Sequence, residues 1–163
     1  METGFSDLKI FQTLVNTIPP LSAVHLANST PVRYAQLFPT RKDLTYFCNR
    51  GTSGIDGCVS TAVGFNYASV QPVTIITGDL AFIYDSNALW NKYLNNKFRI
   101  VVINNGGGNI FRLIDTSSEI KDIMEFFETP HQVNLKHLTE AYGVKYFFCD
   151  DEKEFHIQCE TFF

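Results

Sequence analysis

Gly78-Asp79-Leu80 and Asn104-Asn105-Gly106-Gly107-Gly108-Asn109 bracket the stretch from Gly78 to Phe111 that decides the fold. The first run follows the apolar segment Val73 to Thr77, and the second follows Ile100-Val101-Val102-Ile103. An apolar run ending in Gly-Asp, a helix-length segment and a second apolar run ending in Asn-Asn-Gly form the pattern of a strand-helix-strand unit with parallel strands. Right-handed crossovers set such strands beside or near each other, so both polar turns fall at one sheet edge and Asp79 and Asn105 can approach closely. That carboxyl edge is where open α/β sheets bind ligands.

The residue types there suit a hard divalent cation carrying a diphosphate. Mg²⁺ takes a few oxygen ligands from protein and completes its octahedron with water and phosphate. Asp79 offers a carboxylate oxygen, Asn105 an amide oxygen, and the glycine run a backbone carbonyl, at Gly107. Glycines let the backbone come close to a phosphate and turn N–H groups toward it. Each dipeptide alone is also an ordinary turn; their joint placement, one crossover apart, favours the binding reading.

The 163 residues, 45% of them hydrophobic, suffice for one domain with a sizeable core. A net charge of −4 without a basic stripe argues against nucleic acid as a partner. No apolar run reaches membrane-spanning length and no signal-peptide pattern opens the chain, so a cytoplasmic location is expected. Cys48, Cys58, Cys149 and Cys159 form no C-x-x-C pair and read as buried or half-buried thiols.

Taken in order, Ser6 is placed to cap a first helix carrying Leu8, Phe11, Leu14, Val15 and Ile18 at helical spacing and stopped by Pro19-Pro20. Ala23 to Leu26 is a strand with His25 a satisfied core residue, and Ser29-Thr30-Pro31 opens a helix. There Ser29 reads equally as a cap and Arg33 as a solvated helix residue. Leu44 to Cys48 is the second strand; Asn49 to Gly57 is its glycine-rich loop, in which Arg50 offers a bidentate donor for an anion. A helix follows through Ala68. Val73 to Thr77 and Phe98 to Ile103 are the third and fourth strands, joined by a turn and crossover helix over Leu80 to Leu94 with Trp90 and Tyr93 packing. A helix over 117–127, a loop through Thr129-Pro130-His131, a helix from Leu135 to Tyr142 stopped by Gly143, a fifth strand Val144 to Cys149 and a last helix from Asp150-Asp151 complete the chain. The reading is a three-layer, doubly wound, mostly parallel α/β sheet flanked by helices. Its last helix would normally lead into one more strand, so the chain is expected to be truncated at the C-terminus.

Gly78-Asp79 followed by Asn104-Asn105 resembles the signature of thiamin diphosphate (ThDP) enzymes, with Leu80 standing where many members have glycine. Asn49-Arg50-Gly51-Thr52-Ser53-Gly54-Ile55-Asp56-Gly57, Tyr84-Asp85-Ser86-Asn87-Ala88-Leu89 and Gly106-Gly107-Gly108-Asn109-Ile110-Phe111 narrow the resemblance to one branch, the 2-succinyl-5-enolpyruvyl-6-hydroxy-3-cyclohexene-1-carboxylate synthases of menaquinone biosynthesis. The resemblance runs from about Asn28 onward. It implies a ThDP-binding fold, with ThDP and Mg²⁺ as cofactors. It also implies a parent enzyme that decarboxylates 2-oxoglutarate and adds the four-carbon unit to isochorismate.

By the same resemblance, Ser29, Arg33 and Arg50 face the substrates and their carboxylates, and Ile110, Phe111 and Ile114 form an apolar wall beside the reacting ring. Ser53, Gly54 and Ile55 lie against the cofactor, Ile55 as the wedge that bends it. Gly78, Asp79, Leu80 and Asn105 bind its diphosphate end, and Asp79, Asn105 and Gly107 hold the metal. The resemblance further implies a homo-oligomer whose partner subunit supplies a glutamate from a separate pyrimidine-binding domain. Residues 1–163 then form one diphosphate-binding domain without the N-terminal pyrimidine-binding and central domains, inactive by itself. Another ThDP-dependent 2-oxoacid decarboxylase or acetolactate-type synthase is the nearest alternative, and a non-catalytic nucleotide-binding module the more distant one.

Overall fold

The computed structural model describes residues 5–113 and 121–163. Its element order is α1 (Asp7–Thr17), β1 (Ala23–Leu26), α2 (Thr30–Ala35), β2 (Thr45–Cys48), α3 (Cys58–Ala68), β3 (Val73–Gly78), α4 (Asp79–Tyr84), β4 (Phe98–Ile103), α5 (Lys121–Glu128), α6 (Leu135–Ala141) and α7 (Glu152–Phe162), with 3₁₀ turns at Ser86–Leu89 and Asn109–Leu113. The four strands are all parallel, in the order β2-β1-β3-β4. Ala23 pairs with Val73, Leu26 with both Cys48 and Ile76, and Gly78 with Ile103.

Consecutive residues of a strand point to opposite faces, and β3 uses this to hold two cores apart. Ile75 packs with Val59 and Ala62 of α3, Phe82 of α4, Leu89, and Leu135 of α6. Ile76 packs with Phe11 and Leu14 of α1, Val32 of α2 and Ile103, with Phe155 of α7 against them. Both faces are covered, which is why β3 is a continuous apolar run instead of an alternating one. The helices that follow β1 and β3 lie on opposite faces, so the crevice of the sheet opens between the ends of these two neighbouring strands.

Several local expectations need correction. No fifth strand forms among the described residues: Val144 and Tyr146 send side chains into the α3 and α4 core, but a cavity of about 870 Å³ lies between their segment and β4. The crossover helix stops at Tyr84, because the Asp85 carboxylate is drawn to the start of α3. There it accepts the Ser60 N–H at 2.7 Å and the Ser60 hydroxyl, capping a helix whose own N-cap residue is Gly57. Trp90 does not pack; it is 77% exposed, and Tyr93, half exposed, meets the ring of Tyr67. Neither Ser6 nor Ser29 caps its helix through the side chain. Cys48 is exposed, while Cys58 and Cys159 are buried and all four thiols are unpaired.

His25 is buried as expected, stacked at 5.0 Å on Phe47, but its Nε2 has no hydrogen-bond partner and burial lowers its pKa to about 4. The ends of α6 and α7 behave as read. Asn134 accepts from the His137 N–H, Asp151 accepts from the Glu154 N–H, and Gly143 closes α6 at φ +69°. The part of the expected 117–127 helix before Lys121 lies outside the described residues.

Candidate functional site

Four strand ends deliver the candidate residues to one edge. β1 leads into Asn28 and Ser29, β2 into Asn49 and Arg50, β3 into Gly78 and Asp79, and β4 into Asn104 to Gly108.

Asp79 is the centre of this edge. Its side chain is 2% exposed, a costly position for a carboxylate unless it is well bonded. Oδ2 accepts the N–H groups of Gly106 at 2.7 Å and Gly107 at 3.0 Å, and Oδ1 accepts the Leu80 N–H at 2.7 Å. Gly107 has φ +150°, and a Cβ there would stand 2.6 Å from the Glu128 carbonyl oxygen, so the close passage of these two segments requires glycine. The Gly108 N–H donates to that same carbonyl at 2.7 Å.

The segment from α5 to His131 thus lies on the glycine run. Arg112 grips Glu128 with two donors, one at 3.0 Å, and holds its carboxyl below the ordinary range. Phe111 meets Phe127 edge-on at 5.1 Å. His131 brings Nε2 to 3.2 Å from Asp79 Oδ2, off the line of a hydrogen bond, while its Nδ1 accepts the Val133 N–H at 3.2 Å. The sequence showed His131 as part of a loop, and the sole hint of more was its place after Thr129-Pro130.

Asn105 stands at the expected loop but faces away from Asp79: its amide donates to Asp7 Oδ2 at 3.1 Å, and the residue is exposed. Asp79 and the Gly107 backbone are therefore together, and the Asn105 side chain is not with them.

The corner after β1 is strained. Ser29 has φ 77° and ψ −133°, a region that glycine tolerates and serine rarely enters, and such strain concentrates at functional sites. Arg33 donates to the Ser29 carbonyl at 2.7 Å and is otherwise exposed. Arg50 is exposed too, with one donor on Asn28 Oδ1 at 3.0 Å. Ser53 at φ 61° carries the loop toward Gly54 and the half-buried Ile55. Ile110 and Phe111 are half-buried beside the glycine run; Ile114 lies outside the described residues.

The arrangement offers a buried carboxylate beside a glycine-rich strand end and two guanidinium groups on the neighbouring corners. Chemically, such a carboxylate and glycine run can hold a cation with a polyanion, and the guanidinium groups can bind carboxylates. Among the described residues no helix is long and apolar enough to cross a membrane.

Comparison with known proteins gives the same direction. Residues 28–163 match the family described as "Thiamine pyrophosphate enzyme, C-terminal TPP binding domain". The chain is 47% identical over 162 residues to the 2-succinyl-5-enolpyruvyl-6-hydroxy-3-cyclohexene-1-carboxylate synthase of Christiangramia forsetii, covering 99% of this chain and 28% of that protein. It is 43% identical over 166 residues to the synthase of the same name from Porphyromonas gingivalis, again 99% and 28%. The synthase of Bacteroides fragilis is 38% identical over 161 residues. The chain thus spans under a third of the length of these curated relatives. By its match over residues 28–163, the chain belongs to the C-terminal TPP-binding domain family of thiamine pyrophosphate enzymes.

Proposed function

We propose that the chain is the diphosphate- and metal-binding domain of a ThDP-dependent transferase that decarboxylates 2-oxoglutarate and adds the resulting four-carbon unit to isochorismate, in the cytoplasm. The observation that carries this reading is the pairing of a buried Asp79 carboxylate with the glycine run, in a chain 47% identical to a synthase of that name. Both substrates carry carboxylates, and Arg33 and Arg50 on the corners after β1 and β2 suit them.

The donor set fits Mg²⁺ and a diphosphate. Asp79 is ionisable, buried and already oriented through Oδ2, Oδ1 has a single backbone donor among the described contacts, and the Gly107 carbonyl, which accepts the Asn109 N–H at 3.0 Å, would offer its second lone pair. Asn105 would join by turning its amide from Asp7. Ser53, Gly54 and Ile55, with Gly78 and Leu80, would hold the cofactor, and Ile110, Phe111 and Ile114 would keep water from the reacting ring. ThDP, when bound, supplies the carbanion chemistry. Ser29 and the two arginines bind and orient the substrate carboxylates. The completing pyrimidine-binding domain is to come from a partner subunit, so residues 1–163 constitute one domain of the enzyme and are inactive alone.

The test is carbon dioxide release from 2-oxoglutarate by the full-length protein carrying this chain, with Mg²⁺ and ThDP, in the presence and absence of isochorismate. Release that depends on isochorismate and yields the coupled product supports the proposal. Release from pyruvate instead moves the enzyme to an acetolactate-type activity, and no ThDP-dependent release from either overturns it.

A further inference from the structure

Asn28 lies two residues beyond the end of β1, 1% exposed, and its carboxamide is hydrogen-bonded at both ends. Its Nδ2 donates to the Asn49 carbonyl at 2.7 Å and to the Gly54 carbonyl at 2.6 Å; its Oδ1 accepts from Arg50 at 3.0 Å. Two carbonyls on one side and a guanidinium on the other fix which end is nitrogen, since the flipped amide would set oxygen against both carbonyls and N–H against a cation. One buried side chain therefore joins three stretches of backbone: the strained corner at Ser29, the end of β2, and the loop that carries Ser53, Gly54 and Ile55.

We propose that Asn28 is a positioning residue that holds the carboxylate-binding arginine and the cofactor loop in one fixed relation; this rests on the function proposed above. The loop from Asn49 to Gly57 contains three glycines and a serine at φ 61°, a backbone with little stiffness of its own. Asn28 supplies that stiffness through Nδ2 and aims Arg50 through Oδ1. The two halves of its amide thus serve different ligands, the donor half ThDP and the acceptor half the substrate carboxylate.

The full-length protein carrying this chain is compared with its Asn28→Ala, Asn28→Asp and Arg50→Ala variants. A Leu14→Ala variant, altered in the core of α1, shows what loss of stability alone does. Calorimetry gives the Mg²⁺–ThDP half-saturation, and steady-state kinetics give KM and kcat for 2-oxoglutarate. Asn28→Ala is expected to raise both the half-saturation and KM by about tenfold, the scale of a lost orienting contact. Asn28→Asp keeps the acceptor for Arg50 but sets a carboxylate against two carbonyls, so it raises the half-saturation while moving KM less than Arg50→Ala does. Arg50→Ala raises KM alone.

Shifts in both Asn28 variants no larger than those of Leu14→Ala overturn the proposal. Should Asn28→Ala fail to fold, Asn28→Ser carries the comparison with the same expected direction. A wild-type protein that binds ThDP but does not turn over 2-oxoglutarate overturns the substrate reading, while the calorimetric comparison still decides the role of Asn28.

Discussion

Nε2 of His131 lies 3.2 Å from Oδ2 of Asp79, the same oxygen that accepts the Gly106 and Gly107 N–H groups. Oδ2 is thereby held from three sides, and Oδ1, which accepts only the Leu80 N–H among the described contacts, is the oxygen with room to face a cation. Groups behind a ligand that fix its direction typically contribute ten- to hundredfold in metal affinity. His131→Ala is expected to raise the Mg²⁺ half-saturation of the full-length protein by about tenfold. An unchanged titration would make His131 a bystander, and tighter binding would make it a competitor for Asp79.

Asp79→Asn tests the ligand itself. The amide is close in shape to the carboxylate and keeps an oxygen for the glycine amides, but it sets an NH2 against the Leu80 N–H that Oδ1 accepts, so a loss of about 1–3 kcal/mol of stability is expected without loss of the fold. The Mg²⁺–ThDP half-saturation should rise by more than about a hundredfold, because the substitution removes the negative charge and, with the amide oxygen kept by the glycine N–H groups, turns an NH2 instead of an oxygen toward the cation. An unchanged cofactor titration would remove Asp79 from the metal.

Asp85 caps α3 from 25 residues away through the Ser60 N–H and hydroxyl. A buried carboxylate at a helix N-terminus meets both the unpaired amides and the positive end of the dipole. Asp85→Ala is expected to cost about 2 kcal/mol in urea unfolding. A loss of only a few tenths would show that water replaces the cap.

His25 makes the stability of the chain depend on pH. An unfolded histidine takes up its proton near pH 6.5, whereas folded His25 resists protonation until about pH 4. Between these values the unfolded chain binds more protons, so this contribution is complete above pH 6.5 and is lost as pH falls toward 4, by about 3 kcal/mol. His25→Phe keeps the contact with Phe47 and Phe65 and removes both the proton site and the unpaired Nε2. Urea titrations should show the acid-side slope in the wild type and a flatter profile in the variant; equal slopes would place the titration elsewhere.

What the sequence revealed and what it hid divide along the range of the interactions. β1 and β3 were legible because a strand buried on both faces is apolar almost throughout, and Ile75 and Ile76 show both faces in use; the half-buried β2 and β4 still carry short apolar runs that end in turn residues. Val144 to Cys149 carries the same composition, yet it satisfies the core with side chains and leaves its backbone off the sheet, a difference that no local pattern records. The early end of the crossover helix at Tyr84 has its cause in Ser60, far away in sequence. At the site, Asp79 and the glycine run were visible as strand ends. His131 and Asn28 were not singled out, because their partners come from other loops, and the outward turn of Asn105 depends on Asp7 in α1.

The register of Ala23 with Val73 also bears on how the domain comes into being. All of α2, β2 and α3 lies between these partners, so β1 can pair with β2 early but must leave its other edge open until β3 has been made. Pairing over such separations is paid for in loop-closure entropy before it returns any contact energy, and it slows folding relative to local helix formation. During synthesis the half-sheet therefore presents an unpaired row of backbone N–H and C=O groups beside uncovered apolar faces, the kind of surface on which chaperones act. The crevice between β1 and β3, where the polar corners meet, is by the same logic absent until late in folding.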